Sequence, residues 1–116
     1  RALREWLGPD EYDVAWRTPQ GGTRSPMDTP LWSAIETFVE RVEPEATVAP
    51  ICVAGFTDSH WLRQAFGATA YGFFPMKEMG ADLANRLVHS ADERITEADL
   101  ELGVEFLRHA ARAIGR

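Results

Sequence analysis

The sequence predicts an α/β fold, in which helices alternate with short apolar strands. Apolar residues recur at helical spacing in four stretches, and each of these stretches ends close to a Gly or a Pro. Two short runs rich in apolar and β-branched residues, 47–53 and 68–74, lie between the helical stretches. Because each crossover between such strands must return over one face of the sheet, we expect parallel strand pairing.

Length and composition fit one soluble domain. The chain has 116 residues, of which 45% are hydrophobic, and a net charge of −6, so it lacks the basic field that gathers phosphates. Nucleic acid is therefore excluded as a partner. No apolar run approaches the ~20 residues of a membrane span, and a single cysteine, Cys52, cannot form an internal disulfide. We expect a cytoplasmic protein with no membrane segment.

The first 28 residues predict a helix, a strand and a linker. Apolar residues have helical spacing in 3–7, where Gly8 and Pro9 end the helix, and alternate with other residues in 12–16. No N-cap residue precedes the helix, so we expect the chain to begin inside a helix. Residues 18–28 are rich in Gly, Pro and hydroxyl side chains, which predicts a hinge.

Three further helices follow the linker. Asp28 or Thr29 is the N-cap of the first, and residues 57–59 precede a short second helix that ends at Gly67. Residues 75–86 show no clean period and predict a loop. Thr96 is the N-cap of the last helix. Its predicted inner face consists of Leu100, Val104, Leu107, Ala111 and Ile114.

The loop 55–60 is the first candidate for chemistry, because it lies between an apolar run and a helix. Free amides and the helix dipole meet where a strand ends and a helix begins, so such loops bind anions and substrates in open α/β sheets. The alternative is structural: Gly55 allows a tight turn and Asp58 caps the helix.

His89 is the second candidate, because it precedes two carboxylates in the loop 87–95. An imidazole beside a carboxylate can be a metal ligand, but zinc needs three or four donors, so an ordinary loop residue is the alternative. His60 starts a helix, and His109 lies between arginines on a solvated helix face. No H-x-D, H-E-x-x-H or C-x-x-C spacing occurs in the chain.

Four motifs, taken in order, resemble the C-terminal part of M20-type zinc peptidases and deacylases. The motifs are SPMDTPL at 25–31, GFTDS at 55–59 with Arg63, YGFFP at 71–75 and HSADERI at 89–95. The resemblance covers residues 25–116, and the last motif is the most specific. The family includes carboxypeptidases, dipeptidases, aminoacylases and desuccinylases.

The resemblance implies a partial three-layer α/β/α zinc-peptidase-like domain at 29–116. Residues 18–28 would be the hinge, and 1–17 the end of the inserted domain that acts as a lid and dimerisation domain. A homodimer formed through that inserted domain is the implied oligomer.

The resemblance also assigns site residues. It makes His89 a zinc ligand and gives substrate binding to the loop formed by Gly55, Phe56, Thr57, Asp58 and Ser59, whose amides and hydroxyls would face a carboxylate or carbonyl. The family usually has Gly at the position of Phe56. Two zinc ions bind the intact site of the family, but its H-x-D pair, bridging Asp and Glu-Glu pair lie upstream and have no counterpart here. We therefore expect no catalytic residue in this chain and no tight zinc binding by it.

The implied function is that of a C-terminal fragment of a zinc-dependent amide hydrolase. The intact enzyme would use metal-activated water on a small peptide or an N-acyl amino acid, and the fragment alone would be inactive. The alternative is a non-catalytic binding or interaction module that retains the peptidase fold.

Uncovered apolar side chains such as Phe73 and Phe74 predict that the chain self-associates.

Overall fold

A computed structural model describes residues 2–8, 21–53, 55 and 57–115 of the chain. These described residues form five helices: α1 (Ala2–Leu7), α2 (Pro30–Val42), α3 (Ser59–Phe66), α4 (Ala81–Leu87) and α5 (Glu97–Ile114). No strand occurs in the described part of the chain, and none of its helices is long and apolar enough to cross a membrane.

α2 begins and ends where the sequence predicts. The Thr29 hydroxyl accepts a hydrogen bond from the backbone N–H of Trp32 at 3.1 Å, and Pro30 occupies the first helical position. The helix ends at Val42, before Pro44. Of the two predicted N-cap residues, Thr29 is thus the correct one.

α2 packs along α5 and forms the core. The rings of Phe38 and Phe106 meet edge to face at 5.3 Å, and the ring of Phe73 lies 4.9 Å from that of Phe106. The buried cluster consists of Ala34, Ile35, Phe38, Phe106 and Ala110. Phe73, predicted to be uncovered, therefore packs against this core.

α5 buries a different face from the predicted one. Its start is as predicted, because Thr96 accepts from the N–H of Asp99 at 3.1 Å. The buried residues, however, are Asp99, Gly103, Phe106 and Ala110. The predicted inner residues Leu100 and Leu107 remain 50% and 59% exposed.

The predicted α/β fold, including the three-layer α/β/α arrangement, is wrong for the described residues, since neither 47–53 nor 68–74 forms a strand. In the second run, the backbone N–H of Ala70 donates a hydrogen bond to Ser25 Oγ at 2.9 Å. The Ser25 hydroxyl in turn donates to the carbonyl of Ala70 at 3.1 Å. A side chain thus occupies the groups that a neighbouring strand would use. In the first run, Pro50 lacks a donor and Ile51 is 84% exposed. The predicted strand at 12–16 lies outside the described residues.

Residues 75–86 are not wholly a loop, because α4 begins at Ala81. Gly80 precedes the helix, Asp82 lies in its first turn and Arg86 in its last, which places charges favourably along the helix dipole. A seven-residue helix spans only two turns, too few for an apolar period to appear in the sequence. The predicted hinge and domain boundaries stay predictions.

Candidate functional site

The loop before α3 leaves its polar side chains largely available to solvent. The carbonyl of Thr57 accepts from the N–H of His60 at 3.0 Å, and Thr57 Oγ1 lies 3.4 Å from the N–H of Ser59. Asp58 precedes α3, but its side chain makes no capping hydrogen bond. The carboxylate of Asp58 is therefore exposed beside the N-terminus of α3 and does not act as the cap that the structural alternative assumes. Gly55 is exposed as well, and Phe56 lies outside the described residues.

Arg63 holds α3 against two distant segments. Its Nε donates to Ser25 Oγ at 3.0 Å, and its Nη1 donates to Thr23 Oγ1 at 3.1 Å. Its Nη2 donates to the carbonyl of Ala70 at 2.6 Å. All three guanidinium nitrogens thus donate, and together they fix where the 57–59 loop lies relative to 23–25 and 70.

His60 belongs to the same cluster. Only 4% of its surface is exposed, its Nδ1 lies 3.4 Å from Thr23 Oγ1, and its ring meets that of Trp61 edge to face at 4.9 Å. The side chain is packed into the protein, which agrees with a structural role.

The candidate metal ligand His89 lies in the turn after α4 and has a backbone φ of 62°. A residue with a Cβ occupies this left-handed region at a cost of roughly 1–2 kcal/mol. Two hydrogen bonds help to hold the turn: the N–H of His89 donates to Glu93 Oε2 at 3.2 Å, and the N–H of Ser90 donates to the carbonyl of Leu87 at 2.9 Å. The side chain of His89 is exposed.

The described residues do not form a complete zinc site. No group of three or more His, Cys, Asp or Glu side chains in the described part of the chain could hold a metal ion. The Glu93 carboxylate hydrogen-bonds the backbone N–H of His89. Among the described residues, no hydrogen bond or ion pair joins the His89 turn to the 57–59 loop. His89 thus offers one donor to a metal, and no set of two further metal-ligating side chains of the described residues is grouped with it.

Sequence reasoning missed Asp99, the carboxylate whose pKa is most strongly shifted among the described residues. Asp99 is 1% exposed and accepts three backbone N–H groups: Lys77 at 2.6 Å, Glu78 at 3.0 Å and Met79 at 2.9 Å. It also accepts from the Thr96 hydroxyl at 2.7 Å. The N–H of Lys77 makes the largest contribution to holding the pKa of Asp99 far below its usual range; burial opposes this effect, and the four donors together outweigh burial. Its partners lie within the protein, so its role is to join 77–79 to α5.

Comparison with known proteins assigns a family. A family model described as peptidase family M20/M25/M40 matches residues 6–113, which is most of the chain. No curated protein and no solved structure matches the chain.

Proposed function

This chain belongs to peptidase family M20/M25/M40, and from that premise we propose that it is the C-terminal part of a zinc-dependent amide hydrolase. The observation that carries the proposal is the family match over 6–113, which includes the HSADERI motif at 89–95. Family membership supports a peptidase-like hydrolase. The proposed substrates are small peptides or N-acyl amino acids.

We assign His89 the role of one zinc ligand. Its exposed imidazole belongs to a turn whose own hydrogen bonds are made by backbone groups and by the side chains of Ser90 and Glu93. The other ligands would come from residues outside this chain. Zinc, when bound, polarises an amide carbonyl and activates water.

We assign substrate positioning to the loop 55–59. The hydroxyls of Thr57 and Ser59 can donate to a carbonyl oxygen, and the first amides of α3 carry the positive end of the helix dipole. The exposed carboxylate of Asp58 places a negative charge beside these donors. This charge favours a neutral carbonyl, or a cationic amine, over a substrate carboxylate at this point.

A matched pair of histidine substitutions tests the metal assignment in the protein that carries this chain together with its upstream part. His89→Ala should lower zinc content and reduce hydrolysis of N-acyl amino acids or dipeptides by roughly 100-fold or more, since a lost ligand exceeds the usual effect of a lost outer partner. The control is His109→Gln, because His109 contacts Thr37 and Phe38 instead. Zinc content and hydrolysis should be unchanged in this control.

Zinc titration of the 116-residue chain itself is the second test. We expect no stoichiometric binding, since a single imidazole has no chelate advantage. Tight one-to-one binding that is lost in His89→Ala would contradict an incomplete site. Hydrolysis that is insensitive to His89→Ala would contradict the ligand assignment, and a complete lack of hydrolysis in the larger protein would favour a non-catalytic module that retains the family's fold.

A further inference from the structure

A positively charged cavity lies between α2 and α5, in a protein whose net charge is −6. Its volume is about 600 Å³, which is in the range of small-molecule sites. Arg41 lines it from α2, and Arg108 and Arg112 line it from α5. Among its described lining residues these three guanidinium groups stand against one carboxylate, Glu105, which leaves a net charge of +2 with His109 neutral. The local charge is therefore opposite in sign to that of the whole chain.

Arg41 is held in place from two sides. Its Nη1 donates to Glu105 Oε1 at 2.6 Å, and its guanidinium carbon lies 5.0 Å from the centre of the Phe38 ring. A guanidinium has five N–H donors, so Arg41 retains donors for a ligand while it binds Glu105. A side chain that is already ordered loses less conformational entropy when a ligand binds.

Arg108 and Arg112 lie one helical turn apart and are both exposed. Neither has an ion-pair partner in the described part of the chain, and like charges four residues apart repel each other. The helix dipole favours a cation in the last turn of a helix, which explains Arg41 and Arg112 singly. It explains neither Arg108 nor the convergence of all three arginines on one cavity. An anion bound in the cavity would relieve the repulsion between them.

The cavity lies on the side of α5 away from its exposed apolar residues. At about 100° of rotation per residue, Glu105 and Arg112 lie about 160° and 140° around the helix from Leu107. A neighbouring segment that covers Leu107 therefore leaves the cavity open. Arginine is almost never fully buried unless it is paired, so Arg108 also marks a surface that stays in contact with water. We expect the cavity to remain accessible in a larger protein that carries this chain.

We infer that this cavity binds an anion that carries a diphosphate group. The planar guanidinium fork matches the oxygens of a phosphoryl group, with two parallel hydrogen bonds. The arginines come from two helices, so an anion with two phosphoryl groups can bind Arg41 on one wall and Arg108 and Arg112 on the other. Neither His89 nor the loop 55–59 lines the cavity, so this site is separate from the proposed hydrolase site.

Calorimetric titration with inorganic pyrophosphate tests the site, in the metal-free 116-residue chain and in the metal-free larger protein that includes its upstream part. Both should bind one pyrophosphate with a similar dissociation constant, and added salt should weaken binding. Combining Arg108→Gln with Arg112→Gln should raise the dissociation constant by about tenfold or more, since hydrogen bonds between charged groups are lost. Arg86→Gln, at an exposed site of α4 outside the cavity, is the control and should leave binding unchanged.

Glu105→Gln gives a change of opposite sign. It removes the carboxylate that competes with the anion for Arg41, so it should lower the dissociation constant severalfold. A parallel titration with ADP distinguishes the sources of the diphosphate group: equal binding means that the diphosphate alone is recognised, and tighter binding means that the nucleoside adds contacts. Circular dichroism checks that each variant remains helical.

Three results would contradict the inference. The first is a lack of pyrophosphate binding, or binding by the short chain that is lost in the larger protein, where the cavity would then be covered. The second is binding that survives the double arginine substitution. The third is weaker binding in Glu105→Gln, which would mean that the charge of the cavity does not determine its affinity.

Discussion

At the scale of single residues, Asp99 links two parts of the chain through one carboxylate. Its oxygens accept the N–H groups of 77–79, and its own N–H completes the cap made by Thr96. Ionisation strengthens the hydrogen bonds from 77–79 to these oxygens, because a carboxylate accepts more strongly than a carboxylic acid. The stability of the α5 N-terminus should therefore depend on the charge of Asp99.

This dependence has a definite sign with pH. The pKa of Asp99 is depressed in the folded state, so its contribution to stability is fully present above the unfolded pKa of about 3.9 and declines as pH falls below it. Asp99→Asn should lower the urea midpoint at pH 7, and the gap from wild type should narrow between roughly pH 4 and pH 2. Glu45→Gln, at an exposed site in the turn after α2, is the control and should leave the urea midpoint unchanged at each pH. A gap that stays constant with pH would contradict a role for the charge.

Local patterns predict some of these residues and not others. Thr96 and Asp99 follow the spacing of a capping box, with a hydroxyl residue and an acid three positions later, so this pair could have been found from the sequence. Arg63 gives no such signal, since two of its partners, Thr23 and Ser25, are remote from it in sequence and the third, Ala70, lies beyond the end of its helix. The left-handed backbone conformation of His89 also gives no signal in the sequence, because the residue that usually occupies such a position is Gly.

At the scale of elements, tertiary contacts decide which face of α5 is buried. The helix has two overlapping apolar faces, and the more uniformly apolar one was predicted to be inner. Gly103 lies on the face that is buried, where a Cβ would come within 2.1 Å of Cζ of Phe74. The aromatic ring thus packs directly on the helix backbone. Neither Gly103 nor Asp99 makes the buried face look apolar in the sequence. The periodicity of apolar residues therefore favours the face that contains Leu100 and Leu107.

The extended segments show the same limit of prediction from sequence, because their structure also depends on distant contacts. The apolar run 68–74 has strand composition, but composition does not supply a neighbouring strand. Ser25 and Arg63 satisfy Ala70 instead, and Tyr71 hydrogen-bonds Thr29 at 2.6 Å. Helix caps depend on residues a few positions apart and were predicted well, whereas strand pairing depends on partners far along the chain.

Trypsin offers a test of the Arg63 contacts, because Arg24 lies between two of the three acceptors of Arg63, Thr23 and Ser25. A bond must leave its folded position to enter a protease, so wild-type chain should be cut slowly after Arg24. Arg63→Leu should speed this cut by about 30-fold, because the loss of the hydrogen bonds to Thr23 and Ser25, worth about 1 kcal/mol each, would make this segment easier to open. Arg41→Leu is the control, since Arg41 pairs with Glu105 elsewhere in the molecule. Mass spectrometry measures the rate of cleavage after Arg24. Equal rates in the two variants would show that Arg63 does not hold this segment.

At the scale of the whole molecule, the protein is less compact than an ordinary domain of its length. The Cα radius of gyration is 18.2 Å, whereas a compact chain of 116 residues has about 13 Å. Large apolar side chains accordingly remain at the surface, among them Trp6 and Phe66, which are 83% and 79% exposed. The stability of the fold therefore rests on a small core between α2 and α5.

Substitutions at two adjacent residues of α5 test how much of the stability depends on that core. Phe106 is 5% exposed and contacts Phe38 and Phe73, while Leu107 is 59% exposed. Phe106→Ala should reduce the free energy of unfolding by about 3–5 kcal/mol, which is most of the stability of a marginal domain. Leu107→Ala should change it by about 0.5 kcal/mol or less, since a surface change loses little packing and alanine favours the helix. Urea titrations followed by circular dichroism, with both variants at the same low protein concentration, measure both free energies. Similar losses in the two variants would mean that the α2–α5 contact is not the main source of stability, because Phe106 lies at its centre and Leu107 outside it.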